Sequence, residues 1–142
     1  DFRWEQALSL QGDCAPYVQY AHARAGSILR AAEEQHIDLA DADFTRLGTL
    51  EVKLAQVLER FPRVVHHAAE TLAPNLLAQY LIDAATAFNS YYNHRGPDGK
   101  PDTQVLRAEP GLREARLVLV DAVKRTLQRG LALLGVEAPE VM

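Results

Sequence analysis

The sequence predicts an all-α fold, a helical bundle of about five helices. Apolar residues recur at helical spacing through most of the chain, and no segment keeps the period-2 alternation of a half-buried strand. Proline and glycine mark the breaks between the periodic stretches.

The first helix is expected over about Ala15 to Glu34. Asp13 suits an N-cap, Pro16 suits a first turn, and Ala21, Ala25, Ile28, Leu29 and Ala32 form a packing face. Residues 36–48, with Asp38, Asp41 and Asp43, read as an exposed connector. Leu50, Leu54, Val57, Leu58 and Phe61 follow the i, i+3, i+4, i+7 pattern of a second helix, and Pro62 either ends this helix or starts the next. Val64, Val65, Ala68 and Leu72 continue as a short helix that Pro74 is expected to close. A fourth helix runs from about Asn75 to Asn93, its buried side Leu77, Leu81, Ala84, Ala85 and Phe88. Residues 95–111 hold Pro97, Gly99, Pro101 and Pro110 and read as a long exposed loop. The last helix, about Leu112 to Leu134, carries Leu117, Val120, Leu127 and Leu131, and Gly135 with Pro139 stops it.

The 142 residues, 48% hydrophobic, fit one domain spanning 1–142. No apolar run is long enough for a membrane span, and Asp1-Phe2-Arg3-Trp4-Glu5 has no signal-peptide character, so no membrane partner and a cytoplasmic location are expected. The single cysteine, Cys14, can form no internal disulfide. The absence of an initiator methionine makes a fragment of a larger protein the expectation. A net charge of −4 argues against nucleic-acid binding through a broad basic surface, leaving local grip by shape and stacking.

Tyr17, Tyr20 and Arg24 lie at i, i+3 and i+7, so at about 100° per residue they share one narrow helix face. Such a face can stack unpaired RNA bases and bond their edges. It can equally pack into a core with its hydroxyls bonded inside. His66, His67 and Glu70 suggest a metal, but no third and fourth ligands are identifiable, and neither a metal nor a catalytic residue is assigned.

The stretch from Gly12 to Arg24, Gly-Asp-Cys-Ala-Pro-Tyr-Val-Gln-Tyr-Ala-His-Ala-Arg, closely resembles the helix that opens the C-terminal anticodon-binding (DALR) domain of arginyl-tRNA synthetases. Asp13 and Cys14 depart from that family's Asn-Thr. Leu58-Glu59-Arg60-Phe61-Pro62-Arg63-Val64-Val65 resembles its Phe/Tyr-Pro step between helices, and Gly130-Leu131 through Val136 resembles its last helix. The ending Pro139-Glu140-Val141-Met142 is similar to its terminal Pro-Glu-Arg-Met, with Val141 in place of arginine.

The resemblance implies a domain that receives the anticodon loop of an arginine tRNA, joined in the parent enzyme to a class I catalytic domain that uses ATP to attach arginine. No His-x-Gly-His or Lys-Met-Ser-Lys-like element stands in this chain, so no cofactor is expected in it and ATP is assigned to the parent's catalytic domain. The resemblance assigns Tyr17, Tyr20, Arg24, Tyr92 and Met142 to contact with the anticodon loop, with a pocket for its middle cytosine. Gln19 and His22 are secondary tRNA candidates, and Arg95, Lys100 and Arg107 are candidates for phosphate contact. Tyr80 and Tyr91 are left to structure. The rival expectation is a helical protein–protein interaction appendage derived from a synthetase, which the acidic balance and Val141 would suit.

Overall fold

A computed structural model describes residues 15–142; the expected Asp13 cap and Cys14 lie outside the described residues. Among the described residues five α-helices follow one another: α1 Ala15–Glu34, α2 Thr49–Glu59, α3 Phe61–Glu70, α4 Pro74–Tyr92 and α5 Leu112–Leu133. The same residues hold no β-strand, only a single antiparallel bridge between Arg95 and Pro101.

Helix α1 places Val18, Ala21, Ala25, Ile28 and Ala32 in the core. Its alanines let α5 lie close along it, and this is the most extensive helix–helix contact. Helix α4 runs through the core with Leu77, Leu81, Ala84, Ala85 and Phe88 all buried, as their spacing predicts. Where α4 meets α5, only glycine fits at position 130: a Cβ on Gly130 would collide with Leu81 Cδ2 and stand 3.0 Å from Cδ1. Fully burying side chains such as Leu81 and Phe88 stabilises by about 1.5–3 kcal/mol each.

Pro62 and Pro74 both start helices. Pro62 stands in the first turn of α3, with Arg60 capping both α2 and α3. Pro74 is the first residue of α4, so it does not close α3; that helix ends at Glu70 with Thr71 as its C-cap, and Leu72 turns the chain with φ 53°. Proline lacks an N–H that an initial helical position would leave unpaired, and its fixed φ already suits that position.

The connector 36–48 forms two short 3₁₀ turns, Leu39–Asp41 and Phe44–Arg46, capped by the Asp38 and Asp43 carboxylates. It is exposed as expected, apart from half-buried residues that include Ile37. Asp43 N–H donates to Gly111 O at 3.1 Å, and Arg46 donates to Pro110 O. Gly111 has φ 86°, a conformation glycine alone adopts without strain.

The loop 95–111 differs from the expected exposed segment. Thr103 and Val105 are buried, and Thr103 Oγ1 donates to Tyr91 O at 2.5 Å. Arg116 on α5 draws the loop inward: its guanidinium donates to Gln104 O at 2.9 Å and Asp102 O at 3.1 Å, while Nε donates to Glu51 at 2.8 Å. Proline and glycine content reveals a break in helix but not a cation waiting beneath it. Glu51 also accepts from Tyr91 Oη at 3.1 Å and from Gly48 N–H at 3.0 Å. Burial pushes the Glu51 carboxyl up, but its backbone hydrogen bond, Arg116 and Tyr91 together hold it below the ordinary glutamate range. Tyr80 and Tyr91 are structural, both buried; Tyr80 Oη donates to Val57 O at 3.0 Å, and burial pushes its phenol up to about 12.

Candidate nucleic-acid interface

Three of the expected site residues converge where α1 and the end of α4 lie side by side. The Arg24 guanidinium carbon sits 4.9 Å from the Tyr20 ring centroid and 4.8 Å from that of Tyr92. Arg24 Nη2 donates to Tyr20 Oη at 3.1 Å, and Nη1 donates to Asn89 Oδ1 at 3.2 Å. The planar cation is therefore fixed by two rings and two hydrogen bonds before any ligand arrives. Tyr20 and Tyr92 remain 42% exposed each, so they present ring surface to solvent while Arg24 is half-buried between them.

Tyr20 and Arg24 also line a cavity of about 230 Å³ with Ala23, Ser27, Arg30, Val141 and Met142. Met142 thus lines the same cavity as Tyr20 and Arg24. Ser27 continues the Tyr20–Arg24 face along α1, Arg30 reaches the cavity from an adjacent face of the same helix, and Asn89 lies one turn before Tyr92 on α4. Extending the stripe by helical period would have found Ser27 but not Arg30; Asn89 requires knowing that α4 faces α1.

The remaining candidates are placed differently. Tyr17 is half-buried against the core and donates to Thr86 Oγ1 at 3.3 Å, away from the stack. Gln19 and His22, expected as secondary contacts to RNA, are turned to the closing segment of the chain: Gln19 Nε2 donates to Glu137 O at 2.7 Å, and His22 Nδ1 to Pro139 O at 2.9 Å. His22 is fully buried, which removes it from any surface. Arg95 and Arg107 line a second cavity of about 420 Å³ that Tyr92, Asn93, Gln104 and Leu106 share. Lys100 is not among its lining residues.

His66 and Glu70 form an exposed pair at 3.2 Å. Among the described residues no three His, Cys, Asp or Glu side chains converge as metal ligands would, and no helix is long and apolar enough to cross a membrane.

An arginine within 4.9 Å of the centroids of two half-exposed tyrosine rings, beside a cavity with a second arginine, offers the stacking planes and donors to which unpaired bases can bind. A family model described as "DALR anticodon binding domain" matches residues 18–142. The chain belongs to the DALR anticodon binding domain family. This DALR domain is 52% identical over its whole length to the arginine–tRNA ligase of Thermus thermophilus, of which it spans 23%. It is 46% identical to that of Deinococcus radiodurans, spanning 24% of it. The solved Thermus thermophilus arginyl-tRNA synthetase superposes on all of the DALR domain with a TM-score of 0.93 at 51% identity, again over 23% of that chain. A putative arginyl-tRNA synthetase of Campylobacter jejuni aligns over 89% of it with a TM-score of 0.74 at 25% identity. The DALR domain thus spans about a quarter of the length of the relatives it matches.

Proposed function

We propose that this DALR domain is the anticodon-reading part of an arginine–tRNA ligase, and that the rest of that enzyme attaches arginine to its tRNA with ATP in the cytoplasm. The observation that carries the reading is the Arg24 guanidinium fixed between Tyr20 and Tyr92 at the edge of the cavity that Met142 lines. Single-stranded loop bases splay out, stack on such planes and expose their edges to hydrogen bonding. A cytosine edge offers one amino donor and two acceptors, and Arg24 and Arg30 supply donors for the acceptors. Each stacked base contributes roughly 1–3 kcal/mol by alanine substitution. Tyr20, Arg24, Tyr92 and Met142 form the contact surface; Tyr17 supports α1 against α4 from behind it.

The overall charge of −4 agrees with local recognition, in which Arg24 and Arg30 at one cavity, and Arg95 and Arg107 at the cavity that Tyr92 lines, supply the cations. The experiment is a titration with an arginine-tRNA anticodon stem-loop and with one whose middle base is changed, read by amide chemical shifts. Shifts at Tyr20, Arg24 and Tyr92 that weaken with the changed base support the reading; no shift with either loop refutes it for this chain.

A role as a protein-docking appendage draws on one feature. Leu72, 88% exposed, and Leu133, 60% exposed, flank an apolar groove with Val65 and Leu77. Specific co-purification with a protein, together with indifference to both stem-loops, would favour it.

A further inference from the structure

Ala138 packs against the core, but the last two residues are tied down although they bury little apolar surface. Val141 is 74% exposed and Met142 52% exposed, so apolar burial does not hold them in place. Polar contacts upstream do. Gln19 Nε2 donates to Glu137 O at 2.7 Å and His22 Nδ1 to Pro139 O at 2.9 Å. The Glu140 carboxylate accepts from Lys124 Nζ at 2.8 Å and lies 3.5 Å from Arg30 Nη1. The Lys124 hydrogen bond, with help from Lys124, His22 and Arg30 charge, holds the Glu140 carboxyl below its ordinary range.

Two details indicate that these contacts serve the segment and not the core. The His22 ring is fully buried, yet its Nε2 meets no hydrogen-bond partner among the described residues. An apolar side chain would avoid that orphaned nitrogen, so what the imidazole adds here is the bond from Nδ1 to Pro139. Gly26 lies beneath Glu140: a Cβ there would stand 3.3 Å from Glu140 Oε2, 3.4 Å from Lys124 Cε and 3.2 Å from Arg30 Nη1. Helix α1 therefore supplies the Gln19 and His22 anchors and the gap over which Glu140 lies, α5 supplies Lys124, and α1 also carries Tyr20 and Arg24.

We propose that Gln19, His22, Lys124 and Glu140 are positioning residues that fix the closing segment so that Val141 and Met142 form a preset wall of the base cavity. The proposal rests on the anticodon-reading function given above. Fixing a wall in advance removes the ordering entropy that an untethered segment would lose when a base enters. The anchors touch no RNA; they act through Met142. Arg30 couples the two ends of the device, since it lines the cavity and approaches Glu140.

Met142 is the single methionine of the chain, so its methyl resonance reports directly on the wall. The test compares the unaltered chain with His22→Leu, His22→Asn, Glu140→Ala and a form lacking Val141 and Met142. Each is measured for the Met142 methyl shift, where present, and for affinity toward the arginine anticodon stem-loop. Glu140→Ala alters an exposed side chain, so it tests the anchor without challenging the core. Asparagine places an amide donor near the Nδ1 position, so His22→Asn keeps the bond to Pro139 while His22→Leu removes it.

The expected result is that His22→Leu and Glu140→Ala move the Met142 methyl toward its solvent-exposed position and weaken binding by roughly five- to tenfold, the scale of one net hydrogen bond. His22→Asn restores both. Deleting Val141 and Met142 weakens binding at least as much and abolishes the effect of Glu140→Ala. The proposal is overturned if the deletion leaves affinity unchanged, or if the anchor variants free the methyl without weakening binding. Arg24→Ala separates the two levels: loss of binding there with an indifferent deletion rejects only the positioning role, whereas unchanged binding in Arg24→Ala rejects the anticodon reading itself.

Discussion

The Arg24 guanidinium carbon lies 4.8 Å from the ring centroid of Tyr92, a residue 68 positions later on a different helix, and 4.9 Å from that of Tyr20 on its own. This stack depends on a planar cation. Arg24→Lys keeps the charge but loses the plane and the simultaneous bonds to Asn89 and Tyr20. Stem-loop affinity is expected to fall by about tenfold, the order of one partly desolvated cation–π contact with its hydrogen bonds. Because the side chain is only half-buried, Tm should stay within about 2 °C of the unaltered chain. Isothermal titration and a thermal melt check the two halves; a large drop in Tm would show that Arg24 is packing, not surface.

Gly130 carries a packing prediction. A methyl added there collides with Leu81 Cδ2 and meets Cδ1 at 3.0 Å, and Leu81 is itself fully enclosed. Gly130→Ala should destabilise by about 1–3 kcal/mol, the usual penalty for overpacking, despite the better helix propensity of alanine. Urea denaturation of Gly130→Ala, and of Gly130→Ala with Leu81→Val to relieve the clash, should show the second change recovering part of the loss. If Gly130→Ala is neutral, α4 and α5 are not in the close contact described.

The Glu51–Arg116 pair predicts the effect of breaking a buried ion pair. Their side chains are 4% and 11% exposed, and Arg116 also holds two carbonyls of the 95–111 loop. Arg116→Met leaves Glu51 charged and buried beside Tyr91, so a loss of about 3–5 kcal/mol is expected. Amide exchange should report early opening of residues 103–105, since Thr103 and Val105 lose the cation that draws their loop inward.

The same carboxylate sets an acid limb. The Glu51 carboxyl is held below its ordinary value of 4.5 in the folded chain, so the folded state releases this proton more readily than the unfolded one. The stability it contributes is present above about pH 4.5 and is lost as pH falls through the folded-state value. Glu51→Gln should lower stability at neutral pH and flatten its decline below about pH 4.5, measured by urea midpoints across that range. An unchanged acid slope in Glu51→Gln would assign the decline to other carboxylates.

Helix number and order are legible in the sequence because the apolar periods at Leu50–Leu58, Leu77–Phe88 and Leu117–Leu131 are long and uninterrupted, although Phe61, which continues the first of them in phase, opens α3 instead of closing α2. Pro74 reads as a terminator because proline at a helix start and proline after a helix end look alike until the neighbouring turn at Leu72 is known. The loop 95–111 reads as fully exposed because Arg116, which buries part of it, looks like a surface residue on a helix; only the Glu51 carboxylate across the core explains it. Of the site, Tyr20, Arg24, Tyr92 and Met142 are placed by resemblance. The bonds of Gln19 and His22 to the closing segment are not legible, because nothing local tells a helix residue that a stretch of chain more than 100 positions later crosses it.

The most direct test of the central claim is the titration of this chain with the arginine anticodon stem-loop and its middle-base variant, followed at the amides of Tyr20, Arg24 and Tyr92. Saturable shifts are expected at those three residues with the cognate loop, and an affinity weaker by at least about tenfold with the variant, on the scale of one misread base. Equal shifts with both loops, or shifts confined to residues away from the Arg24 stack, would contradict anticodon reading by this domain.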